Sequence, residues 1–139
     1  MKPFNRVLAL VLVISGLMPF LATFFAATDQ SMIIQLFHFT GPSSPELQAT
    51  FVMMGAALIF ASVTQFLAAT WVWKGKAEGL RLSLWVALML ITAAVYSFFV
   101  LLKFGINDPS FYVVDLIKGV LILVLTLVTS KKTLVKSPS

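Results

Sequence analysis

The chain has 139 residues and a formal charge of +5; 60% of its residues are hydrophobic and only 11% charged. Soluble domains run to about a quarter charged residues, so this composition excludes one, and it excludes a disordered chain equally. With no cysteine there is no disulfide scaffold, and the basic excess has a topological source rather than a nucleic-acid partner.

A helix needs about 20 apolar residues to cross a hydrocarbon core of roughly 30 Å. The first such segment, Val7 to Thr28, carries no charge. Lys2 and Arg6 precede it as they would a signal peptide. Its apolar run is longer than the roughly 7–15 residues of such a core, and Ala26-Ala27 after Phe24-Phe25 makes a poor cleavage site. It reads as an uncleaved helix over residues 5–28.

The connection Asp29 to Glu46 holds the apolar octet Met32 to Phe39, too short to span, which predicts a surface strap on the outer side. The breaker cluster Thr40-Gly41-Pro42-Ser43-Ser44-Pro45 turns the chain into a second uncharged run, Leu47 to Trp73. A tight basic turn, Lys74-Gly75-Lys76, leads to a third helix over 81–103, whose uncharged core is Leu82 to Leu102. The fourth, over 110–131, holds Asp115 and Lys118 inside its apolar stretch, and Thr133 to Ser139 reads as a disordered tail. The runs are continuously apolar rather than alternating, so they are helices and not barrel strands. The expected fold is an all-α, four-helix transmembrane bundle, one domain over 1–139.

Lysine and arginine set orientation. Lys2, Arg6, Lys74, Lys76, Arg81, Lys131, Lys132 and Lys136 fall on one side; the other has Lys103 alone, beside the acidic Asp29, Glu46 and Asp108. Both termini are therefore expected in the cytoplasm. Trp71, Trp73 and Trp85 lie near that boundary, as an aromatic belt does.

Most site chemistries are excluded. Without cysteine there is no thiolate nucleophile and no iron–sulfur ligation. The one histidine, His38, lies in the outer loop, so paired haem ligands and a Ser-His-acid triad are absent. No glycine-rich phosphate loop occurs, and the few carboxylates do not build a metal cage. Self-contained catalysis is not expected; the cofactor expectation is none of the chain's own, with a bound quinone or lipid in its place.

One intramembrane polar spot remains. Asp115 and Lys118 are three residues apart and can pair. At about 1.5 Å per residue, Lys118 lies roughly 12 Å below the outer end of its helix. A lone charge there is costly, so partners facing the bundle interior are expected. Ile122, Thr126 and Thr129 continue the same face inward, and Trp85, Thr92, Tyr96, Phe99 and Lys103 form a matching stripe on the third helix. Pro19 cannot donate to the carbonyl of Ser15, which leaves that acceptor free. Gly55-Ala56-Ala57 lets neighbouring backbones approach.

The expected ligand layer is thus Pro19, Gly55, Tyr96, Asp115 and Lys118, below an outer mouth of Glu46, Lys103 and Asp108. The bland alternatives are a neutral Asp115–Lys118 pair that only fixes packing, or a Lys118 that snorkels outward. Thr64 and Gln65 are expected to hydrogen-bond another helix or a sister subunit.

Pro19-Phe20, the outer strap, the Gly41-Pro42…Glu46-Leu47 entry, Met54-Gly55-Ala56-Ala57-Leu58 and Lys74-Gly75-Lys76 together resemble the DoxX-like group of small bacterial four-helix membrane proteins. The resemblance covers most of the chain through length, topology and glycine placement. It implies a bacterial inner-membrane location and a quinone-linked or partner-subunit context, and brings no catalytic residue with it.

The leading reading is an accessory subunit, or a binder of a lipid-soluble ligand, in contact with the bilayer and with sister or other membrane subunits. The alternative is an oligomeric transporter or channel using Asp115 and Lys118. An enzyme has the least support.

Overall fold

The computed structural model describes residues 3–28, 45–103, 105 and 110–135, with side chains set aside in 22–28, 45–55, 58, 101, 110, 111 and 132–135. These form four helices: α1 Pro3–Thr28, α2 Pro45–Trp73, α3 Ala77–Lys103 and α4 Ser110–Val135. The expected strap and His38 lie outside the described residues. The helices run a few residues past the expected bounds, and α4 continues to Val135, so the start of the expected disordered tail is helical. The physical reason is local: lysine and leucine are good helix formers, and no glycine or proline interrupts Lys131 to Val135.

Each helix packs on its chain neighbours, and α4 closes the ring against α1. The α3–α4 and α1–α2 seams are extensive; the α1–α4 seam is the sparsest of the four. The basic ends collect at one pole, where the Arg6 guanidinium stacks 5.8 Å above the Trp73 ring. Toward the other pole, Phe98 of α3 meets Tyr112 of α4 edge to face at 5.2 Å.

The distribution of residues is that of a membrane bundle. Large apolar side chains such as Leu10, Ile14, Phe60, Leu67, Phe99 and Leu127 are exposed around the outside. Inside are small or hydroxylated residues: Ala61, Ser62, Ala68, Ser83, Ala87, Ala94, Ser97, Thr126 and Thr129. Lipid is as apolar as leucine, so helix contact in a membrane is set by how closely backbones can approach, which favours small residues at the seams. α1, α3 and α4 each contain a stretch long and apolar enough to cross a membrane; in α2 the apolar stretch among the described residues is Ile59–Trp73. A continuous apolar core, built on Leu8, Leu12, Val72, Val86, Leu90 and Ile122, fills the half of the bundle nearer the basic pole.

The α2–α3 corner is a Schellman turn. The Gly75 amide donates to Val72 O at 3.0 Å and the Lys76 amide to Trp71 O at 2.9 Å, with Gly75 at φ 70°. That left-handed conformation is disfavoured for residues with a Cβ, and a Cβ here would meet nothing within 4 Å, so the penalty is conformational alone. Gly75→Ala is expected to cost about 1 kcal/mol, read by thermal unfolding in detergent. No loss would mean the corner can adopt another turn.

Candidate functional site

Four polar residues converge directly above the apolar core, and Ser15 is the one that ties them together. Its carbonyl belongs to the turn that Pro19 leaves without a backbone donor. Lys118 Nζ reaches across the α1–α4 seam and donates to that carbonyl at 3.4 Å. Its hydroxyl lies 2.6 Å from Gln65 Oε1 on α2 and 3.2 Å from Leu12 O. The single proton is best placed on the shorter contact. Asp115 completes the set from one turn of α4 toward the other pole, its Oδ1 4.0 Å from Lys118 Nζ. One α1 residue thus binds α2 through its side chain and α4 through its backbone.

Burial gives these contacts their weight. Gln65 is fully buried, and the side chains of Lys118 and Asp115 are only 12% and 15% exposed. Charges and amides removed from water hold their partners strongly, and an unpaired one is costly. Two donors are incompletely used. Lys118 carries three N–H bonds and spends one within hydrogen-bond distance, while Asp115 stands at ion-pair range. Gln65 Nε2 has no acceptor among the described residues.

Local sequence explains the convergence. Gly16 follows Ser15, and a Cβ there would lie 3.1 Å from the Phe66 ring and 3.3 Å from Gln65 Cβ, so glycine lets α1 settle onto α2. Gly119 follows Lys118, and a Cβ there would meet Ile91 Cγ1 at 2.8 Å and the Ala87 carbonyl at 3.1 Å, so it seats α4 hard against α3. Below the layer, α4 buries Ile122, Thr126 and Thr129 on the expected face. The two hydroxyls close back on Ile122 O and Leu125 O, each at 2.7 Å, which makes them self-satisfied packing residues.

The expected layer is assembled only in part. Lys118, Asp115 and the carbonyl above which Pro19 sits come together, and Pro19 itself is buried. Tyr96 does not join them: it is 60% exposed. The whole stripe expected to face inward on α3 faces outward, with Trp85 and Phe99 exposed and Thr92 and Lys103 on the same side. The face turned in is the opposite one, Ser83, Ala87, Leu90, Ala94 and Ser97. In lipid the wide aromatic side chains gain nothing by entering a seam, whereas small ones let α3 approach its neighbours.

Gly55 is also displaced from the layer. It lies on α2 ten residues from Gln65, or about 15 Å along the axis, and the close approach expected of it is supplied at this level by Gly16 of α1. Of the outer mouth, Lys103 is exposed at the end of α3; Asp108 and the Glu46 side chain lie outside the described residues. Gln65 bonds another helix as expected, through the Ser15 hydroxyl, whereas Thr64 donates within its own helix to Phe60 O at 2.8 Å; the Ser15 hydroxyl is the partner that sequence reasoning did not name. The structure sets the register that pairs Ser15 with Gln65: Arg6 stacks on Trp73, Ser15 is nine residues above Arg6 and Gln65 eight above Trp73.

Among the described residues no group of three or more His, Cys, Asp or Glu side chains could hold a metal ion. The arrangement offers hydrogen-bond donation from a buried ammonium and an amide, with one carboxylate to balance charge. In comparison with known proteins, the chain matches no family model, no curated protein and no solved structure.

Proposed function

We propose that this chain is a four-span membrane protein, both termini cytoplasmic, that holds the carbonyl-bearing head of a lipid-soluble molecule at Lys118. It works without chemistry of its own, as a ligand-binding bundle or an accessory subunit in the quinone-linked inner-membrane context that the DoxX-like layout implies. The observation that carries the reading is Lys118 Nζ bridging the sparsest seam to a carbonyl that has lost its helical donor. A residue already donating to one carbonyl, with donors to spare, suits a quinone or lipid ester oxygen equally well. Entry would be sideways from the bilayer across the sparse α1–α4 seam, and Ile14 and Ile117, the chain neighbours of Ser15 and Lys118, are exposed apolar residues that could meet a ligand tail. Gln65 Nε2, buried beside the same serine, is a second donor in want of an acceptor. The eight basic residues on one side of the sequence support the orientation.

Photolabelling with an azido-quinone tests the reading. Labelled peptides are expected from α1 and α4 around Ser15 and Lys118, and labelling should fall at least about tenfold in Lys118→Met, the loss of one charged hydrogen bond. Equal labelling in Lys118→Met, or labels confined to other helices, would overturn it.

A further inference from the structure

A second site lies at the basic pole, on the α1–α2 seam and away from Lys118. The outer surface of that seam holds an open groove of about 330 Å³. Ala9 and Val13 of α1 and Ala69, Thr70 and Trp73 of α2 form its walls, and Lys74 closes its end. Ala9 and Ala69 are buried at its base, where their small side chains leave a hollow beside the larger Val13 and Trp73. The Thr70 hydroxyl is committed to Phe66 O at 2.9 Å, so the walls present almost no free donor. Positive charge gathers at one end only: Lys74 follows Trp73, and Arg6 lies across the ring of that same tryptophan.

An apolar trough with two cations at its mouth has the shape of a lipid. We infer that this groove binds an anionic phospholipid from the leaflet at the basic pole, one acyl chain along Ala9, Val13 and Ala69 and its phosphate between Arg6 and Lys74. Charge complementarity selects the occupant. A guanidinium and an ammonium match a phosphate, and in a zwitterionic lipid the headgroup cation would meet them unfavourably. Trp73 sits where an interfacial tryptophan should, at the level of the headgroups. This inference is independent of the ligand proposed at Lys118.

Native mass spectrometry of the full chain, titrated with phosphatidylglycerol or phosphatidylcholine of the same acyl chains, reads the site. Tighter binding of phosphatidylglycerol is expected. At about 1 kcal/mol for each basic residue near an anionic headgroup, Arg6→Gln with Lys74→Gln should weaken it roughly thirtyfold. Lys76→Gln with Arg81→Gln removes the same charge from the same pole outside the groove and should leave binding within a few-fold. Thr70→Phe, at an exposed position in the groove wall, should weaken both lipids. Equal losses from the two charge pairs would show diffuse attraction and overturn the site, as would unchanged binding in Thr70→Phe. Unfolding temperatures in detergent check that each variant is folded.

Discussion

Lys118→Met is expected to destabilise the bundle by about 3 kcal/mol, because it strands a buried carboxylate at Asp115 and removes the donor to Ser15 O together. Adding Asp115→Leu should return most of that loss, since two apolar side chains of similar volume replace a buried pair at little net cost. It should not return all of it. The Ser15 carbonyl then has neither Lys118 nor a backbone donor from position 19, and a buried unpaired acceptor costs about 1–3 kcal/mol. A third change, Pro19→Ala, supplies the missing N–H and should recover the remainder. Denaturation of the four proteins in mixed micelles checks the series. If single and double changes lose stability equally, Asp115 and Lys118 are not acting as a pair. If Pro19→Ala adds nothing to the double variant, the carbonyl at Ser15 was satisfied in another way.

Gly119→Val should cost about 3 kcal/mol, the upper part of the usual range for overpacking. Its Cβ would come within 2.8 Å of Ile91 Cγ1 and 3.1 Å of both the Ala87 carbonyl and the Ile91 amide. The isoleucine can turn, but the two backbone atoms cannot move unless α3 and α4 separate. Gly119→Ala should lose less, because alanine gains about 1 kcal/mol of helix propensity over glycine. At Gly16 the obstacles are the Phe66 ring edge and the Gln65 side chain, which can yield, so Gly16→Ala should be milder than Gly119→Ala. Thermal unfolding in detergent ranks the three. A Gly119→Val protein as stable as the parent would mean that the α3–α4 seam is looser than described.

The architecture could be read from sequence because it depends on length: uninterrupted apolar runs predict helices whatever their facing. Lys118 and the Ser15 carbonyl could be read too, since a charge in an apolar span and a proline in a helix each create a need that only certain atoms meet. Which side of a helix faces in could not be read the same way. In α3 both faces are apolar, so periodicity carries no sign. The polar groups of Thr92, Tyr96 and Lys103 suggest a partner for Asp115 and Lys118, but the stripe that carries them, with Trp85 and Phe99, faces outward. The informative pattern was the small residues Ser83, Ala87, Ala94 and Ser97, which mark the contact face in lipid. Depth was the other difficulty. Counting from the outer ends of the helices puts Gly55 beside Pro19. The stack of Arg6 on Trp73 fixes the register from the basic pole and brings Gln65 to Ser15.

We propose that the layer around Lys118 holds a small lipid-soluble molecule. This is tested most directly by native mass spectrometry of the protein extracted gently from its own membranes, in the parent form and as Asp115→Leu with Lys118→Met, the variant expected to stay folded. A small-molecule mass is expected on the parent chain, identifiable as a quinone or lipid on release, and it should be lost from the variant while the groove phospholipid at Arg6 and Lys74 remains. Retention of the same mass by the variant, or a parent chain carrying only the groove phospholipid, would contradict it and leave Asp115 and Lys118 as a packing pair.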